Sequence, residues 1–205
     1  MKRSAYEESV FINCPFDAAY LNLLNAILFA VFDCGYKPRC AQEADDGSQV
    51  RIQKIYQLIA GSKLGIHDIS RTGLDPATNL PRFNMPFELG VFLGAKRFGD
   101  KHQRSKNCLI LDKEPYRYQQ YISDISGQDI RAHGDDPETV ISIIRDWLKN
   151  ASPDTVIPGG KEIFRRYKLF MSELPELCAE IPIDPSELTY NDYTSFISEW
   201  LRVNA

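Results

Sequence analysis

Glu88 is the residue of this chain whose setting most demands a chemical explanation. It lies in residues 87–95, FELGVFLGA, a stretch apolar on almost every side. A carboxylate there is expected to be largely buried, and an unpaired buried charge is costly. Burial would lift its pKa towards the range useful for acid–base work. The competing reading is structural: a first-turn glutamate favoured by the helix dipole, close to a cap at Asn84. Spacing alone leaves the two readings level.

Asp68 and Ser70 close the apolar run KLGIHDIS at residues 63–70. Asp68 is either functional, as an acceptor for a ligand hydroxyl or as a partner of Glu88, or an aspartate that closes a loop by local hydrogen bonding. Asn13 and Asp17 flank the turn after the first apolar run, and Asp17 has the character of a helix-start residue. Cys14 stands before a helix, where a thiol pKa can fall, but no histidine accompanies it, so a buried structural cysteine is the preferred reading. Arg51 and Arg71 could meet phosphates, or be solvated surface charges.

Several chemistries are excluded. There is no Gly-x-x-x-x-Gly-Lys-Ser/Thr, and Gly90, Gly94 and Gly99 do not form Gly-x-Gly-x-x-Gly, which disfavours a P-loop nucleotidase and an ordinary dinucleotide dehydrogenase. The five cysteines are odd in number and contain no Cys-x-x-Cys, and His67, His102 and His133 are scattered. No structural metal, disulfide framework or cofactor is expected, and the cysteine usage suits a reducing, cytoplasmic setting. The first residues lack an apolar segment of the signal-peptide kind. No apolar run reaches the roughly 18 residues that span a bilayer, so no membrane partner is expected. A net charge of −4 argues against a nucleic-acid partner.

The elements that must carry these residues alternate. Ser9–Asn13, 36–42, 63–70, 107–112 and 129–133 read as strands, by apolar runs and turn residues. Helical stripes fall between them: Leu21, Leu24, Leu28 and Val31, with Pro15 placed in the first turn; Ile52, Ile55, Tyr56 and Ile59; residues 84–98; and residues 135–150, with Pro137 in the first turn. A short helix is expected over 115–123. The loop at 71–83, about a dozen residues, is long enough to suggest function. Strand–helix alternation with right-handed crossovers predicts an α/β, flavodoxin-like (Rossmann-like) doubly wound parallel sheet of five strands in the order 2-1-3-4-5. It occupies residues 1–152. Residues 153–205 read as a C-terminal helical extension packed on it through Phe164, Tyr167, Phe170, Phe196 and Trp200. In such sheets ligands lie at the carboxyl ends of the strands, where strand order reverses. That places Asn13, Asp17, Asp68, Ser70, Asn84 and Glu88 at one end of the molecule.

The same segments carry a resemblance. Residues 10–17, VFINCPFD, look like the first box of TIR domains, a strand followed by a short polar turn and an aspartate. The stretch from Asp68 and Ser70 to Glu88 resembles the third strand, variable loop and glutamate-bearing helix of TIR domains that cleave NAD. It is equally similar to nucleoside 2-deoxyribosyltransferases, with a strand-end aspartate, a small-residue turn and a catalytic glutamate before a Leu-Gly pair. Asn84 and Met85 stand where that family has Gly-Thr. The resemblance covers about residues 9–112.

It implies that Glu88 is the catalytic carboxylate, with Asp68 in the ribose or base pocket; Asn13, Asp17, Ser70 and Asn84, at the same strand ends, are the further candidates for substrate binding. Both families break an N-glycosidic bond, through a C1′ centre that becomes oxocarbenium-like and that a carboxylate can stabilise or attack. Nicotinamide departs neutral from a cation and needs less acid assistance than an ordinary base, which favours NAD or a related nucleotide. The implied setting is bacterial signalling or antiphage defence. The alternative is a non-catalytic TIR-like nucleotide-binding or protein–protein assembly module, since fold does not fix function. In that reading Tyr190, Tyr193, Phe196 and Trp200 could form a homo-oligomer surface, although packing on the sheet-covering helices is preferred.

Overall fold

The computed structural model describes residues 3–43, 46–74 and 79–204. In chain order the elements are α1 (Ala5–Glu8), β1 (Ser9–Asn13), α2 (Leu21–Asp33), β2 (Lys37–Arg39), α3 (Arg51–Ala60) and β3 (Leu64–Asp68). They continue with α4 (Asn84–Phe98), α5 (Lys101–Arg104), β4 (Asn107–Asp112), β5 (Ile130–Ala132), α6 (Pro137–Ala151), α7 (Gly160–Glu180) and α8 (Tyr190–Val203). The strands form one all-parallel sheet in the order β2-β1-β3-β4-β5, as the alternation requires. Strand order reverses between β1 and β3, where Asn13 pairs in register with His67.

Both faces of the central strands are covered, so β1 and β3 are buried at every position. Side chains still alternate. Val10, Ile12, Leu64, Ile66, Leu109 and Leu111 face one apolar layer, shared with α2, α6, α7 and α8. Phe11 and Ile110 face the other, built with α3 and α4. Helix α2 lies between the sheet and the C-terminal helices. It buries eight consecutive-turn residues, including Ala26, Ile27, Phe29 and Ala30, because it has protein on both sides. The Phe29 ring centroid lies 5.6 Å from Tyr167, 5.5 Å from Phe170 and 5.8 Å from Trp200. The extension therefore packs through Tyr167, Phe170 and Trp200, while Phe164 and Phe196 are partly buried at its margin.

Several expectations are corrected. Helix α4 has the anticipated limits but buries one face only, through Met85, Leu89 and Phe92. Phe83, Phe87 and Phe98 are exposed, because an apolar composition supplies no covering layer by itself. Pro15 lies in a loop, six residues before α2 begins. Residues 115–123 hold 3₁₀ turns, Arg117–Gln120 and the start of Ser123–Ile125, rather than a helix. The four-residue helices α1 and α5, capped by Ser4 and Asp100, are too short for a periodic signal. At α6, Asp136 accepts from the Thr139 N–H and Pro137 opens the first turn, as expected for that pairing.

Gly65 in β3 has a clear physical reason. A Cβ there would sit 2.8 Å from His67 Nε2 and 2.8 Å from Phe92 Cε2. Both rings are buried, so neither can swing away. Gly65→Ala is expected to cost about 2 kcal/mol, typical of overpacking, measured as a lower denaturant midpoint at unchanged slope.

Candidate functional site

The carboxyl ends of β1 and β3 meet the first turns of α4. Asn13, buried, donates from Nδ2 to the Met85 carbonyl at 2.8 Å and lies 3.0 Å from His67 Nδ1. It thus ties the end of β1 to the helix that carries Glu88 one turn later. Because Asn13 donates to Nδ1, His67 holds its proton on Nε2, which has no partner among the described residues. The ring packs against Phe92 at 4.8 Å and Phe11 at 5.8 Å. Burial, aided by the Lys106 charge, pushes its pKa down to about 3, so His67 stays neutral and is no general acid near neutrality.

Glu88 lies in the second turn of α4, and no acidic residue occupies the first turn. The dipole-favoured, first-turn reading therefore does not hold. Nor does Asn84 cap the helix. Phe83 precedes it with helical dihedrals and the end carries no side-chain cap, so the extended lead-in that a cap needs is missing. Asn84 is exposed at the helix start. Burial lifts the Glu88 carboxyl from 4.5 to about 7, with the Arg51 charge opposing the rise.

Asp68 is fully buried and its oxygens face protein. Oδ2 accepts from Tyr20 Oη at 2.5 Å and Oδ1 from the Ser70 N–H at 2.8 Å. His133 Nε2 is 3.0 Å from Oδ2, off the line of a well-directed bond. The Asp135 N–H donates to His133 Nδ1 at 2.9 Å, which leaves the ring proton on the Asp68 side. Burial pushes Asp68 up, but His133, Ser70 and Tyr20 together hold it below the ordinary carboxylate range. Asp68 shares a sheet face with Ile66 and α2 and so points away from the face α4 covers. It fastens the loops after β1, β3 and β5 to one another.

Ser70 is nearly buried, and its Oγ has no partner among the described residues. Asp17 Oδ1 accepts the Tyr20 N–H at 3.1 Å and lies 3.8 Å from Arg71 Nη2, so it closes the turn after β1. Arg71 leans over the Tyr20 ring at 6.0 Å. Cys14 is buried, and burial pushes its thiol well up, with the charges of Asp68, Glu88 and Asp17 adding to the effect. Six residues lie between it and the first residue of α2, so that helix does not activate it.

Sequence reasoning did not reach the groups that brace these loops. Arg117 binds Asp112, Thr72 Oγ1 at 2.9 Å and the Ser70 carbonyl at 2.6 Å, while Tyr121 Oη donates to the Ile69 carbonyl at 3.0 Å. The signal for Asp112 was present, as a strand-end aspartate like Asp68. Part of the long loop, residues 75–78, lies outside the described residues. Among the described residues no group of three or more His, Cys, Asp or Glu side chains could hold a metal ion. Among the described residues no helix is long and apolar enough to cross a membrane. Compared with known proteins, the chain matches no family model, and no curated protein or solved structure is significantly similar to it.

Proposed function

We propose that the protein cleaves the N-glycosidic bond of a nucleotide, NAD or a relative of it, with Glu88 as the catalytic carboxylate. The observation that carries this reading is a partly buried carboxyl lifted to about 7 on an otherwise apolar helix turn, beside the reversal of strand order where open α/β sheets bind ligands. The order 2-1-3-4-5 and the resemblance of residues 9–112 point the same way. As the C1′–N bond breaks, its electron pair leaves with nicotinamide, which becomes neutral. The Glu88 anion stabilises the oxocarbenium-like C1′ or bonds to it. Water then adds at C1′, and its proton passes to solvent. Asn13 acts as a positioning residue, holding the start of α4.

The charged form of Glu88 is the working form in this chemistry. kcat/KM for NAD is expected to rise about tenfold per pH unit below pH 6, bend near pH 7 and level above it. Release of nicotinamide followed by chromatography across pH 5–9 checks this. A profile that falls through pH 7 would mean that the protonated carboxyl is needed, and would remove the role given to Glu88.

One observation favours the second reading, an assembly module. Phe83, immediately before α4, and Phe87, in its first turn, are 63% and 54% exposed, an apolar pair open to a partner surface. Concentration-dependent association without base release from NAD or any nucleoside would select that reading.

A further inference from the structure

The side chain of Asn13 is half used. The residue is 3% exposed, and its Nδ2 meets two groups, the Met85 carbonyl at 2.8 Å and His67 Nδ1 at 3.0 Å. A carbonyl only accepts, so the amide cannot be turned round: the reverse placement would set two acceptor oxygens against each other. Nδ2 carries two protons, and these two contacts take both. Oδ1 is left over, and no described residue donates to it. His67 Nε2 and Ser70 Oγ are also without partners, but protein seals them from solvent, whereas Asn13 Oδ1 is not sealed. An acceptor on a buried side chain with no donor is uncommon in a folded protein and calls for a reason.

Its position supplies one. Asn13 ends β1 beside the reversal of strand order. Through the Met85 carbonyl it abuts the first turn of α4, one turn before Glu88. The amide is held from two sides. His67 is fully buried and packed against Phe11 and Phe92, so its ring cannot follow a rotating amide. It also stays neutral, so Nδ1 keeps accepting. We propose that Asn13 Oδ1 is a preset acceptor for a neutral N–H or O–H donor of the ligand, and that His67 is the positioning residue that holds it. Such an acceptor takes a ribose hydroxyl or a carboxamide and disfavours a carboxylate in the same place. That the ligand is NAD rests on the glycosidase reading; the acceptor and its lock do not.

The test measures binding by calorimetry to the full chain carrying Glu88→Gln, so that NAD is retained rather than cleaved. Four ligands are titrated: NAD, its analogues lacking the 2′- or the 3′-hydroxyl of the nicotinamide ribose, and nicotinic acid adenine dinucleotide, in which a carboxylate replaces the carboxamide. One of the three analogues is expected to bind at least about tenfold more weakly than NAD, and that analogue names the donor. Asn13→Ala is expected to shrink the preference to within about threefold, by weakening NAD and sparing the disfavoured analogue. His67→Leu keeps the core filled and removes the lock. It is expected to shrink the preference too, and serves alone if Asn13→Ala does not fold. A preference left intact by these variants would make Asn13 only a strut of α4 and overturn the proposal, as would equal affinities for all four ligands before either change. Discrimination that tracks Asn13, in a wild type that releases no base, supports the acceptor and defeats the glycosidase reading. Base release without discrimination does the reverse. Failure of all four to bind, with no base release, defeats both.

Discussion

Glu88→Gln is expected to cut base release at least about a hundredfold, the scale of losing one key electrostatic group, while making the folded protein more stable above pH 7. The two effects share one cause. In the folded chain the carboxyl is lifted from 4.5 to about 7 by burial. A raised pKa contributes stability that is complete below the unfolded value and is lost as pH rises through the folded value. At pH 8 the wild type therefore holds an ion where a neutral group would sit more comfortably. Glutamine keeps the shape and removes the ion. Discounted for partial solvent access, the gain at pH 8 is about 1–3 kcal/mol, or roughly 2–12 °C in melting temperature, with little change at pH 4.5. Substrate binding should survive better than rate, because the charge matters most in the transition state. Paired melts at pH 4.5 and 8, beside nicotinamide release, are the measurements. A variant that is less stable at pH 8 would mean that the charge is structurally paired, and the functional reading would lose the observation that carries it.

Removing the chain after Pro153 is expected to abolish soluble folding rather than to trim an accessory. Seven large side chains from α7 and α8 are buried: Ile163, Tyr167, Phe170, Leu174, Tyr193, Ile197 and Trp200. At about 1.5–3 kcal/mol for each, their loss amounts to roughly 10–20 kcal/mol, as large as the whole net stability of an ordinary domain. The truncation would also bare Phe29 and its neighbours on α2. Expression of residues 1–153 followed by sedimentation and circular dichroism checks this. A monomeric product with an unchanged melting temperature would show that α2 needs no cover.

The parts of the fold legible in advance are those where local pattern and tertiary setting agree. The run NCLILD at 107–112 and the limits of α4 coincide with the observed elements. The edge strands are shorter than their apolar runs at 36–42 and 129–133 predict, since β2 and β5 hold three residues each. Pairing ends where the neighbouring strand turns away, which composition does not record. Helices α2 and α4 make the same point about burial. Both are rich in apolar residues, but only α2 has a second layer over it. In the site, Glu88, Asp68 and Asn13 stood out by type and position. Their partners did not, because Tyr20 lies 48 residues from Asp68 and Met85 lies 72 residues from Asn13. His133 sits in a segment read simply as a strand, and nothing local marks it as the neighbour of a buried carboxylate.

The seating of α7 and α8 on α2 also bears on how the chain is made. Tyr167 Oη reaches Asn22 across 145 residues, and Trp200 closes over Phe29 later still. At about 5–20 residues per second of synthesis, the outer face of α2 waits roughly 7–30 s on the ribosome for its cover. Throughout that interval Phe29 and the leucines beside it are available to any apolar surface nearby. The nascent chain is thus a natural client for a holding chaperone, and slowing translation before residue 160 would lengthen the period in which it can aggregate.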